Sequence, residues 1–121
     1  ATWNTPQKVK FNKKPMKITK KESTKENWEG VKSRNYKIKT LEKNHSVVYA
    51  ELKGVHGKVK TKGIERIYYI LEGEGFFDIE GVIKEVGKDD VITIPPCTEY
   101  DYAPLKDKEL KILLFMEFWD N

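Results

Sequence analysis

Residues 65–81, ERIYYILEGEGFFDIEG, decide the fold. Arg66 stands at the head of an unbroken apolar run, Ile67-Tyr68-Tyr69-Ile70-Leu71, which stops at the turn Gly73-Glu74-Gly75 before a second apolar segment starts. A short apolar run rich in β-branched and aromatic residues and closed by paired glycines reads as a strand entering a hairpin. A strand with no solvent-facing side does not accept a cation at its mouth without a partner, so Arg66 is the residue to explain.

Working outward, the chain from residue 46 onward is a series of short extended segments. They are expected at 46–52, 63–71, 75–80, 82–86, 91–94, 100–103 and 110–119, separated by Gly54-Val55-His56-Gly57, Glu80-Gly81, Gly87-Lys88-Asp89-Asp90 and Pro95-Pro96. Such spacing of strands and turns is that of an all-β sandwich or barrel. Before residue 46, strands are expected at 9–11, 16–19, 31–38 and 40–42, and ESTKENWEG, residues 22–30, reads as a helical turn. The division is a basic segment, 1–45, and a barrel, 46–121, within one structural domain, because 121 residues suffice for a single core.

Charge follows the same division. Residues 1–45 carry 13 Lys+Arg against 4 Asp+Glu, and residues 46–121 carry 10 against 15, so the net +4 hides halves of opposite sign. The lysines of the first third are scattered, and almost none is an arginine capable of bidentate readout, which argues against nucleic acid as the partner. One cysteine, Cys97, leaves no intramolecular disulfide and no paired-cysteine metal site, which fits a reducing compartment; with no apolar stretch of spanning length, a cytoplasmic protein without a membrane partner is expected.

The last strand is apolar on both parities: Leu110, Ile112, Leu114, Met116 and Phe118 on one, Leu113, Phe115 and Trp119 on the other. A sandwich strand needs only one apolar face, so the second is expected to be covered by another copy of the chain, a homodimer.

YYILEGEGFFDIEG followed by VGKDDVITIPPCTEYDY, residues 68–81 and 86–102, resembles the two motifs of the cupin superfamily, the small jelly-roll (double-stranded β-helix) barrels. The resemblance covers roughly residues 46–118 and implies a cupin barrel of the RmlC-like kind, with extra N-terminal strands here. In that family two histidines and a glutamate of the first motif and a histidine of the second hold a divalent metal. Here the glutamate position falls on Arg66. The first-motif histidines fall on Lys60 and Lys62 with a three-residue gap, or on Val59 and Thr61 with a four-residue gap. In the second motif Cys97 takes the glycine position and Tyr100 the histidine position. A permanent guanidinium at a metal focus repels the cation. The resemblance, so read, implies no metal and no cofactor.

The family's geometry turns the ligand positions into the barrel, so Arg66 and, two residues on, Tyr68 would line it, with Lys60 or Lys62 beside them and Tyr100 and Tyr102 opposite. A cationic, phenolic pocket suits a small anionic molecule, a carboxylate or sugar phosphate, held without catalysis. Three alternatives stay open: an ion pair of Arg66 with Glu65, Glu99 or Asp101; an isomerase or epimerase using Tyr100 with an acidic neighbour, or a displaced metal site using His45 or His56; and a barrel plugged by Tyr68, Ile70, Phe76, Ile92, Ile94 and Met116.

Overall fold

A computed structural model describes residues 15–39 and 44–118. Ten strands run in the order β1 (Thr24–Trp28), β2 (Val31–Lys39), β3 (Asn44–Leu52), β4 (Val59–Lys60), β5 (Arg66–Glu72), β6 (Gly75–Ile79), β7 (Val82–Val86), β8 (Val91–Ile94), β9 (Glu99–Pro104) and β10 (Leu110–Phe118). They form a six-stranded sheet, β1-β2-β3-β10-β5-β8, and a four-stranded sheet, β4-β9-β6-β7, antiparallel throughout. This is the jelly-roll class expected from the sequence. Among the described residues no helix is long and apolar enough to cross a membrane.

Alternation builds the core. On β3 the buried set is Ser46, Val48, Ala50 and Leu52, on β5 Tyr68 and Ile70, on β10 Leu110, Ile112 and Leu114. All but Ser46 meet Phe77 of β6 and Tyr100 and Tyr102 of β9 from the other sheet in one apolar cluster. Phe77, not Phe76, is the buried member of β6: Gly75 faces inward, and the period of two carries the next inward position to residue 77.

The turn that ends β5 requires its glycine. Gly73 has φ +91°, and a Cβ there would lie 2.0 Å from the carbonyl oxygen of Glu109, so the β10 entry crosses directly over it.

Residues 22–30 are not a helical turn. The start signal is real but spent on three residues: Thr19 and Glu22 form a reciprocal capping box around the 3-10 turn Lys20–Glu22. Beyond it Thr24–Trp28 pairs with β2 as a fully exposed edge strand, since ladder bonds to β2 outweigh a weak helical preference. Polar Lys25, Glu26 and Asn27 blunt that edge. Residues 16–19 carry no strand. The expected strands at 9–11 and 40–42, and Trp119, lie outside the described residues.

Candidate functional site

β5 and β9 face each other across the barrel, and their inward residues meet. Arg66 is half-buried; Tyr68 and Tyr100 are each 1% exposed and Tyr102 is 3% exposed. The Arg66 Nη1 donates to the Tyr100 hydroxyl at 2.7 Å, and the hydroxyls of Tyr100 and Tyr68 share a further hydrogen bond. The guanidinium carbon lies 5.8 Å from the centroid of the Tyr100 ring, within cation–π range. The phenols therefore bond the cation and each other rather than backbone groups. With both phenols buried, this chain of hydroxyls runs from the guanidinium into the core.

A second group abuts the first. The His56 ring stacks on Tyr102 at 4.6 Å between centroids, Tyr102 stacks on Phe77 at 4.5 Å, and Trp28 of β1 meets the His56 ring edge-on at 5.1 Å. The loop holding His56 is tied down on three sides. Its N–H donates to the Tyr102 carbonyl at 2.8 Å, the Trp28 indole donates to its carbonyl at 3.0 Å, and the Gly57 N–H donates to the Asp101 carboxylate at 2.9 Å. His56 Nδ1 lies 2.9 Å from the Gly57 carbonyl, which only accepts, so Nδ1 carries the proton and Nε2 keeps its lone pair.

Burial lowers the His56 pKa below the ordinary histidine value, and the nearby Arg66 charge adds to the effect, against the pull of the Gly57 carbonyl and Asp101; the ring is neutral at pH 7. Burial also raises the Tyr68 and Tyr102 pKa values, Tyr68 well above its normal value, so both are protonated. Burial works against the Arg66 charge, but the Tyr100 and Tyr68 hydroxyls more than restore it and hold its pKa above the usual guanidinium value.

Of the residues singled out in the sequence, the structure brings together Arg66, Tyr68, Tyr100 and Tyr102, but not Lys60 and Lys62. Both lysines are exposed, whereas Val59 packs against the core and Thr61 is buried, its hydroxyl donating to the Pro95 carbonyl at 2.6 Å. The inward positions of this segment are thus Val59 and Thr61, those of the four-residue gap. The ion pairs recorded among the described residues, Lys58–Glu99, Lys111–Glu72 and Lys111–Glu109, leave Arg66 out, and Asp101 is engaged by backbone N–H groups instead. Cys97 is exposed in a turn with φ +54°. The sequence does not single out Trp28, and it offers His56 only for a displaced metal site; the hint of its place here is a histidine hemmed in by glycines, Gly54 and Gly57, in a loop long enough to fold back.

Among the described residues no three His, Cys, Asp or Glu side chains converge as a metal-binding group. The donors gathered here are a guanidinium, phenols and one imidazole nitrogen, a set that does not fit a divalent cation.

No family model matches the chain. A 49-residue stretch is 45% identical to the uncharacterized protein MJ1618 of Methanocaldococcus jannaschii, covering 40% of this chain and 39% of that protein, so the chain matches about two fifths of that relative's length. Among solved structures it is similar to Pac13, described as a nucleoside dehydratase, with TM-score 0.73 and 23% identity over 89% of this chain and 86% of that one; tyrosine and histidine variants of the Streptomyces protein were solved with uridine. It is also similar to an RmlC-like cupin from Shewanella frigidimarina, TM-score 0.67 and 16% identity over 83% and 87% of the two chains. The cupin domain of Schizosaccharomyces pombe Cnp3 aligns with TM-score 0.60 and 13% identity over 69% of this chain and 63% of that one. At these identities what is shared is the fold.

Proposed function

We propose, from the premise that the chain is a cupin-fold barrel, that it binds a small anionic molecule at Arg66. The observation that carries this reading is a half-buried guanidinium whose side-chain partners among the described residues are neutral phenols. Partly buried charges are normally paired, because desolvating an unmatched ion costs several kcal/mol. Arg66 turns donors to the Tyr100 and Tyr68 hydroxyls, and those left over match a carboxylate or phosphate in bidentate fashion. The same donor set argues for binding that needs no divalent metal.

The test is thermal denaturation with a panel of carboxylates and sugar phosphates, beside elemental analysis of the purified protein. The wild type is expected to melt higher as a matching anion is added, and Arg66→Gln to lose that response. Indifference of the wild type to every anion overturns the reading, and stoichiometric metal overturns its metal-free part.

A second reading, acid–base catalysis, is favoured by the neutral His56 whose Nε2 is left as a base next to the phenols. Pac13, a nucleoside dehydratase of the same fold, lends it support. Elimination of water needs a base for the departing proton and an acid for the leaving hydroxyl; a neutral imidazole and a phenol can fill those roles. We also infer that a second copy of the chain covers the outer face of the six-stranded sheet. There Val47, Phe115 and Ile67 lie in one row across β3, β10 and β5, with Ile67 and Phe115 each 39% exposed.

A further inference from the structure

The register of the six-stranded sheet lines up its inward side chains in rows. Lys37, Ser46, Met116, Arg66 and Ile94 form the row at the mouth, Asn35, Val48, Leu114, Tyr68 and Ile92 the next, and Ser33, Ala50, Ile112 and Ile70 the one below. On β10 and β8, and on β5 below the arginine, these positions are apolar or aromatic. On β2 they are Ser33 and Asn35, both buried, and at the mouth the exposed Lys37; on the rim of β3 the position is the buried Ser46. A face that only has to pack against the opposite sheet carries aliphatic side chains at such places, so the polar choice asks for a partner.

Ser33 is satisfied within the β1–β2 hairpin: its N–H donates to the Asn27 side chain at 3.1 Å and its hydroxyl donates to the Glu26 carbonyl. Asn35 is not. Its Nδ2 donates to the Glu26 carboxylate at 3.4 Å, whereas its Oδ1 is, among the described residues, the one buried side-chain oxygen or nitrogen without a hydrogen-bond partner. The residue is 7% exposed. Rotating the amide by half a turn would set Oδ1 against a carboxylate oxygen, two acceptors face to face, so Glu26 fixes which end of the amide is left over.

We propose that the Asn35 carbonyl, held in orientation by Glu26, is the second fixed point of the ligand site and accepts a hydrogen bond from a neutral O–H or N–H at the end of the ligand remote from the anion. This rests on the reading of Arg66 as an anion anchor. β3 and β10 separate β2 from β5, and at ~4.8 Å per strand the two anchors stem from backbones about 14 Å apart along the sheet. A phosphate or carboxylate alone cannot reach both. A phosphorylated sugar or a nucleoside monophosphate, with its donor several bonds from its anion, can. A ligand with acceptors at both ends is disfavoured, because it would set a second acceptor against Oδ1.

The test is isothermal titration of wild type, Asn35→Leu and Arg66→Gln with three probes: inorganic phosphate, ribose 5-phosphate and uridine 5′-monophosphate. In the wild type at least one ester is expected to bind ten-fold or more tightly than inorganic phosphate. In Asn35→Leu that advantage should disappear with phosphate affinity unchanged, and in Arg66→Gln all three affinities should fall together. Asn35→Ala gives the same readout should the branched side chain not fit. An ester advantage that survives both Asn35 variants, or no ester advantage in the wild type, overturns the Asn35 inference and leaves the Arg66 reading standing. Probes that bind equally well to Arg66→Gln overturn both.

Discussion

His56 is the residue whose charge its surroundings govern most directly. Its pKa is depressed in the folded protein, so as pH falls below the ordinary histidine value of about 6.5 the unfolded chain takes up a proton that the folded chain resists. Stability from this group is therefore complete above that pH and lost as pH falls from the ordinary value through the depressed one. Chemical denaturation of wild type and His56→Gln between pH 5 and 8 should show a loss of stability on acidification in the wild type and a flatter profile in the variant. Asn35→Leu should move in the opposite sense to most core substitutions: relieving an unsatisfied buried acceptor is worth about 1 kcal/mol, or a rise of roughly 3–5 °C in melting temperature. Arg66, Tyr68, Tyr100 and Tyr102 were legible from sequence because a strand's period of two fixes which side chains share a face once one inward position is known. The contact of His56 with the phenols, and the places of Trp28 and Asn35, were not. The first depends on a loop folding onto β9, and the other two on a hairpin docking at the sheet edge, neither of which leaves a periodic trace.

Among the elements, the β5–β6 hairpin is the least tolerant of change. Gly73→Ala must both hold a non-glycine residue at φ +91° and push back the Glu109 carbonyl, a combined cost of about 3–5 kcal/mol. A fall of roughly 10 °C or more in melting temperature checks it. The strands of the barrel were readable because their apolar spacing and their glycine and proline punctuation agree. The helix-like 22–30 segment misled because Lys, Glu and a capping signal favour a helix locally, while the observed strand is imposed by pairing with Val31–Lys39, which no local window contains. The segment expected as one strand over 63–71 begins only at Arg66. That break, together with a four-residue rather than three-residue gap, turns Val59 and Thr61 inward and leaves Lys60 and Lys62 in solvent.

For the whole molecule, the row Val47–Phe115–Ile67 on the outer sheet face adjoins a depression of about 430 Å³ whose lining includes Ile38, Ile64 and Met116. To one side of this row the same face carries charges of both signs, Arg34 and Lys32 from β2 with Glu51 from β3, which a two-fold axis can set against one another. Sedimentation should give a dimer for the wild type and a monomer for Phe115→Glu with an intact fold; a wild-type monomer at micromolar concentration counts against the pairing. The strand order adds a constraint of its own. β10 lies between β3 and β5, so the last of the described strands fills the middle of the larger sheet. A ribosome releasing this chain exposes two half-sheets that cannot close until residue 118 has emerged, and refolding, governed by such distant pairings, belongs to the millisecond-to-second regime rather than the microsecond one.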